Sequence, residues 1–185
     1  MILAGQNKIT HTKNMSIGEF RTRADTRTSE FGDAFSAEVP IDLHIPDHPR
    51  TGYKTVITYE WRPGNRIGVE SVKVGMTSPN AADVTGDLLR ELRIAEHSRD
   101  NIPRIVRRYG KQAIPNADEI AEIVKGGVKS GRTMWLVQTV YRFAEITGLP
   151  PAKYVQETLK LTPATAGRWI RRSKESLNWG DRGNN

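Results

Sequence analysis

The sequence predicts an α+β protein, with a three-stranded antiparallel meander and a covering helix in its first half and helices in its second. Apolar and polar residues alternate in three segments between residues 37 and 76, as they do in half-buried strands. After residue 83 the apolar residues recur every three to four positions, which is typical of amphipathic helices. Charge separates the same two halves: residues 90–185 carry 18 lysines and arginines against 10 acidic residues, whereas residues 1–89 carry 10 against 11.

Composition excludes several classes of protein. The chain has no cysteine, which rules out disulfides, thiolate nucleophiles and cysteine-ligated metals. No apolar run approaches the roughly 18 residues that span a bilayer, and residues 1–13 lack the apolar segment of a signal peptide. We therefore expect a cytoplasmic protein without membrane contact, and its net charge of +7 favours a negatively charged partner.

The first 34 residues show no sustained period and predict a partly disordered leader, within which Met1 and Met15 are alternative starts. Residues 35–97 predict the sheet and its helix. Strands are expected near residues 37–45, 53–61 and 67–76, and the alternation slips at Glu70 and Ser71, which predicts a β-bulge. The covering helix is expected from Asp83 to Leu92.

Residues 98–131 predict a helical linker. Its first helix is expected to be capped by Asp100 or Asn101, to hold Pro103 in its first turn and to stop at Gly110. Three arginines give this helix a basic flank: Arg104, Arg107 and Arg108. A second helix should follow Asn116, with Glu119 completing a capping box, and glycines after residue 125 predict a boundary or hinge.

Residues 132–177 predict three short helices, followed by a tail at 178–185. The first buries one face, carrying Leu136, Val140 and Phe143, against an opposite polar face that includes Thr139. The second begins at Pro151 and runs to about residue 160. The third is expected to be capped by Thr162, with a proline at its first position.

The third helix divides into two faces with different chemistry. Its apolar face is expected to hold Ala166, Trp169, Ile170, Ser173 and Leu177, and its opposite face Ala164, Arg168, Arg171 and Arg172. A short helix, a tight turn and a helix with a basic outer face predict a helix-turn-helix unit, whose second helix enters the DNA major groove. Arginine suits that role because its planar fork matches guanine and phosphate.

The segment PPAKYVQETLKLTPATAGRWIRRSKESL resembles the C-terminal helix-turn-helix of actinobacterial and actinobacteriophage DNA-binding proteins, and more broadly the tri-helical domain of resolvases and transposases. The resemblance covers residues 134–177. It departs from the family pattern at Gln156, where a small residue is usual, and at Lys160, where glycine is usual. It implies base contacts by Thr162, Ala164, Thr165, Arg168 and Arg171, and phosphate contacts by Arg172 and Lys174.

These observations predict a sequence-specific binder of double-stranded DNA, a transcriptional regulator acting in the cytoplasm at the nucleoid, or in the host cytoplasm if phage-encoded. One such unit reads few base pairs, so we expect a second contact, either a homodimer through the β domain or Arg104, Arg107 and Arg108 along the DNA backbone. The alternative is an adaptor protein or a DNA-packaging subunit of the small-terminase type.

Catalysis, cofactors and metals are not expected. The glycines at 126 and 131 have phosphate-binding-loop spacing, but the lysine is missing and the preceding segment predicts a helix rather than a strand. Asp42, His44, Asp47 and His48 could in principle supply metal ligands, but the pattern favours a strand and a surface loop.

Overall fold

The computed structural model describes residues 18–31, 35–45, 53–76, 84–108 and 111–177. The predicted tail and most of the predicted leader lie outside these ranges. So do Met1, Met15, Asp47, His48 and Gly110. Within the ranges lie six strands and six helices: β1 (Glu19–Phe31), β2 (Phe35–Ile45), β3 (Tyr53–Arg62), β4 (Arg66–Met76), α1 (Gly86–Glu91), α2 (Ile94–Ile105), β5 (Val106–Arg108), β6 (Lys111–Gln112), α3 (Ala117–Lys125), α4 (Gly131–Thr147), α5 (Pro151–Thr158) and α6 (Pro163–Leu177).

The predicted α+β class and the three central strands are confirmed. Strands β2, β3 and β4 form an antiparallel meander, as expected. The predicted bulge lies in β4: Thr58 pairs with Ser71 and Tyr59 with Val69, so Glu70 has no partner across the ladder. The slip in alternation therefore marks a real extra residue.

The sheet is larger than predicted because β2 has neighbours on both edges. One edge pairs with β1, and the other is shared by β3, which pairs with residues 41–45, and β5, which pairs with residues 35–37. Strand β6 continues the sheet beyond β5. The strand order is therefore β4-β3-β2-β5-β6, with β1 on the free side of β2.

The prediction of a leader reaching residue 34 is wrong for residues 19–31, which form strand β1. This edge strand lacks apolar alternation because most of its described side chains are exposed. Phe20 packs against the core, with its ring 6.5 Å from that of Tyr59. Its pairing is interrupted opposite Pro40, which has no N–H to donate. The Thr26 hydroxyl bridges the interruption by donating to the Pro40 carbonyl and accepting from the Arg23 N–H, both at 2.6 Å.

The helices after the meander differ from the prediction. Helix α1 falls within the span expected for the covering helix, but the side chains of Leu88 and Leu89 are not among those that the structure describes. In the described part of the chain, helices α2 and α4 pack against the sheet. The linker helix begins at Ile94 rather than near residue 100, and it ends at Ile105. Val106 then enters the sheet as β5, because the edge of β2 that β3 leaves open offers backbone partners and a buried site for this β-branched side chain.

Helix α3 begins as the sequence predicts. The Asn116 side chain accepts a hydrogen bond from the Glu119 N–H at 2.9 Å, and the Glu119 carboxylate accepts one from the Asn116 N–H at 3.3 Å. This reciprocal pair is the expected capping box.

Helix α4 is buried on more than one side, which the prediction of a single apolar face did not include. It packs against α5 and α6 and also against β4, and Thr139 on its predicted polar face is buried. The ring of Phe143 lies 6.5 Å from that of Phe35 in the sheet. One apolar cluster thus runs from β2 to α6 across residue 131, and the division of the chain into domains at that residue stays a prediction.

Among the described residues, no helix has both the length and the apolar character that a membrane crossing requires.

Candidate nucleic-acid interface

A tight turn joins α5 to α6. The N–H of Leu161 donates to the Gln156 carbonyl at 2.9 Å and that of Lys160 to the Glu157 carbonyl at 3.3 Å, which are the two hydrogen bonds of a Schellman motif. Lys160 has a φ of 53°, in the left-handed region that favours glycine. The lysine therefore stands at a position whose backbone geometry suits glycine, the residue that the resemblance to helix-turn-helix proteins led us to expect there.

Lys160→Gly is expected to raise the free energy of unfolding by about 0.5–1 kcal/mol, because glycine adopts this conformation without the steric cost that a side chain brings. The same change at exposed Lys153 inside α5 should lower that free energy by a similar amount. Chemical denaturation of both variants checks this, and equal destabilisation by the two changes would contradict the role assigned to the turn.

Helix α6 starts with the predicted cap. The Thr162 hydroxyl accepts a hydrogen bond from the Thr165 N–H at 3.3 Å, donates to the Thr165 hydroxyl at 2.9 Å, and Pro163 takes the first helical position. Thr162 and Ala164 are exposed and Thr165 is half-buried. These three predicted base-reading residues thus lie together at the start of α6, where the small side chain of Ala164 leaves the backbone open to approach.

The inner face of α6 is the predicted one and fixes the helix on α4. Ala166, Trp169 and Ile170 are buried in the core cluster. The fully buried Ser173 hydroxyl donates to the Met134 carbonyl in the first turn of α4 at 2.8 Å. The side chain of Leu177, the last residue predicted for this face, lies outside the description.

The outer face of α6 presents Arg168, Arg171 and Arg172 to solvent. Their spacing of three and four residues places the three guanidinium groups on one side of the helix. Within the ranges that the structure describes, no hydrogen bond, ion pair or ring contact engages any of them. They therefore form a cationic surface, the α6 arginine face, whose charge is not offset by a bonded carboxylate from the described residues.

Lys174, predicted to contact phosphate, lies beside this face with a different environment. Its amine is 4.5 Å from the centre of the Tyr141 ring on α4 and donates to the Tyr141 hydroxyl at 3.3 Å. Tyr141 on α4 thus positions a cation near the C-terminal end of α6. The contact could not be predicted from sequence, because Tyr141 and Lys174 are 33 residues apart and lie on different helices.

The three linker arginines do not form the predicted basic helix flank. Arg104 lies in α2, where it donates to Asn101 at 2.7 Å and stacks on Phe20. Arg107 and Arg108 lie in strand β5, and side chains of successive strand residues point to opposite faces. Arg104 and Arg107 are exposed, but Arg108 is only 9% exposed and points into the protein.

Arg108 is therefore a core residue, and its prediction as a DNA-backbone contact is wrong. Its guanidinium donates to the Thr139 hydroxyl at 2.7 Å and lies 4.1 Å from the centre of the Trp135 ring and 5.4 Å from that of Phe35. The aromatic rings stabilise the buried cation. The Arg108 side chain thus links the sheet to α4 through these contacts and does not face solvent.

Arg108→Ala is expected to lower the free energy of unfolding by about 2–3 kcal/mol, because it removes two cation–π contacts, a buried hydrogen bond and the packing of the side-chain stem. Arg107→Ala removes the same charge from the neighbouring exposed position and should change stability by less than about 0.5 kcal/mol. Urea denaturation of the two variants measures the difference. Equal small losses would contradict the structural role of Arg108.

The glycine spacing at 126 and 131 and the acidic and histidine residues near Asp42 have structural explanations in the described part of the chain. Helix α3 precedes the glycines at 126 and 131, and the Ser130 hydroxyl accepts from the Thr133 N–H at 3.4 Å to cap α4. In the described part of the chain, no three histidine, aspartate or glutamate side chains come together as a metal site would require. Asp42 instead accepts a hydrogen bond from Thr58 at 2.8 Å.

Comparison of this chain with protein-family models, with curated proteins and with solved structures finds no significant match.

Proposed function

We propose that this protein binds double-stranded DNA in a sequence-specific manner and acts as a transcriptional regulator, with α5 and α6 as a helix-turn-helix and α6 as the helix that enters the major groove. The observation that carries the proposal is the α6 arginine face, with three exposed guanidinium groups that have no bonded partner in the described part of the chain. Three free cations on one helix face suit a polyanion whose groove edges accept hydrogen bonds.

The packing of α6 supports this role. A reading helix must be held rigidly by its inner face while its outer face stays free, because base contacts depend on register. Trp169 and Ile170 anchor the inner face, and Ser173 bonds it to α4. The exposed Thr162 and Ala164 leave the start of the helix open, and the left-handed turn at Lys160 sets its direction from α5.

Phosphate contacts supply most of the affinity in such a complex, and base contacts supply the preference for a sequence. In the proposed arrangement Arg168 and Arg171 read base edges together with Thr162, Ala164 and Thr165. Arg172 and Lys174 contact phosphates. Since a single helix reads few base pairs, the proposal includes a homodimer that places two α6 helices on one site.

Arg168→Ala is expected to cost about 1–3 kcal/mol of binding free energy on the preferred site and to relax the base preference at one position. Lys174→Ala should weaken binding to all duplexes equally and flatten the log–log salt dependence by about 0.9. Competition binding with the preferred duplex and its single-base variants separates the two effects. An equal loss of sequence preference in both variants would refute the division of roles.

A further inference from the structure

A wide cleft opens on another part of the protein, between the β3–β4 turn, α2 and the corner that joins α4 to α5. Its volume is about 1210 Å³. Small-molecule sites typically enclose about 300–1,000 Å³, so the cleft has room for a medium-sized ligand and its hydration. None of its described lining residues belongs to α6.

The floor of the cleft is apolar. Ile67 from β4 and Ile102 from α2 are both buried and both line it, and Leu149 and the ring of Tyr154 extend this surface along the α4–α5 corner. Such a floor favours a hydrocarbon chain or ring over a fully hydrated ion.

The rim of the cleft is cationic. Arg62, Arg66, Arg99 and Lys153 line it, and Glu157 is the one carboxylate among its described lining residues. Lys153 lies 3.8 Å from Glu157, and the guanidinium of Arg62 donates to a backbone carbonyl of β4. No hydrogen bond or ion pair within the described ranges engages the side chain of Arg66 or of Arg99.

Neighbouring phenols add no negative charge to the cleft. Burial raises the pKa of Tyr59, which lies close to Ser98 on the cleft wall, to about 12. Burial also raises the pKa of Tyr154 above its usual value. A phenol is uncharged at neutral pH even at its ordinary pKa of about 10, and these upward shifts keep both hydroxyl groups protonated at higher pH, so neither group offsets the positive charge of the rim.

We propose that this cleft binds an amphiphilic organic anion, with the apolar body of the ligand on Ile67, Ile102 and Leu149 and its carboxylate or phosphate head between Arg66 and Arg99. The guanidinium groups of Arg66 and Arg99 have no bonded partner among the described residues, and each can make a bidentate contact with such a head. Duplex DNA fits this chemistry less well, because its backbone offers no apolar body to cover the floor. The proposal is independent of DNA binding by α6.

Displacement of the fluorescent sulfonate 8-anilinonaphthalene-1-sulfonate by decanoate tests it on the full chain. We expect saturable binding at one site, with decanoate and decyl phosphate at least about 10-fold tighter than decanol or decyltrimethylammonium. The double variant Arg66→Ser with Arg99→Ser should weaken decanoate binding at least about 10-fold. The matched variant Arg27→Ser with Lys73→Ser, which removes two exposed charges elsewhere, should bind as the unchanged protein does.

A second variant distinguishes loss of the binding site from loss of the folded structure. Ala95→Glu adds a carboxylate at an exposed position of the cleft wall and should weaken decanoate binding without lowering the unfolding midpoint. Decanol binding as tightly as decanoate would overturn the proposal, because the rim cations would then play no part. Displacement of the sulfonate by duplex DNA through Arg66 and Arg99 would also overturn it, by assigning the cleft to the nucleic-acid surface.

Discussion

Replacing Arg168, Arg171 and Arg172 together by alanine is expected to weaken the binding of double-stranded DNA at least about 100-fold at physiological salt. Each good arginine contact with a base contributes about 1–3 kcal/mol. Each phosphate contact contributes about 0.9 to the negative slope of log K against log salt. The variant should therefore show a flatter salt dependence as well as a lower affinity. Fluorescence anisotropy with labelled duplex at several salt concentrations measures both quantities.

The control for this variant removes the same charge from the sheet. Arg27, Lys54 and Lys73 are exposed residues of β1, β3 and β4, and their replacement by alanine lowers the net charge by the same amount. If the α6 arginine face carries DNA binding, this control should lose less than about 10-fold in affinity. Equal losses in the two triple variants would mean that net charge alone attracts the DNA, and would contradict a dedicated reading helix.

Trp169→Ala is expected to lower the free energy of unfolding by about 3–5 kcal/mol. The side chain is 7% exposed and belongs to the core cluster between α6 and α4. Truncating a large buried aromatic residue removes its contacts and leaves a cavity that the surrounding helices fill only in part. Urea denaturation followed by circular dichroism measures the loss.

Trp135→Ala is the matched control, because the same truncation occurs at a residue that is 40% exposed. It removes the ring that stacks on Arg108 and should cost about 1 kcal/mol. A loss at Trp169 no larger than the loss at Trp135 would show that α6 is not held by its inner face. The rigid presentation of the α6 arginine face would then have no structural basis.

Elements that carry their own pattern were predictable from sequence. The two faces of α6 follow from the positions of Trp169, Ile170 and the arginines, because a helix of this length sets its inner and outer sides by spacing alone. The bulge at Glu70 was visible as a slip in alternation. Thr162 and Asn116 were recognisable as caps because capping depends on residues only three positions apart.

Features that depend on distant partners were not predictable. Strand β1 is held mainly by backbone hydrogen bonds to β2, so its side chains show no alternation beyond Phe20. Arg108 is adjacent in sequence to exposed Arg107, and only Thr139 and Trp135, about 30 residues further on, make its site a buried one. The cationic cleft likewise combines residues from the adjoining ends of β3 and β4, from α2 and from α5, and these residues form no motif in the sequence.

Selection from a pool of random duplexes with the intact protein, at two salt concentrations, tests the central claim most directly. The proposed function predicts an enriched motif that is lost when Arg168, Arg171 and Arg172 are replaced by alanine, and a two-fold symmetric motif would report binding as a dimer. Salt-sensitive binding without any motif would contradict sequence-specific reading and favour a packaging role. Absence of DNA binding would refute the proposed function and favour an adaptor that binds another protein.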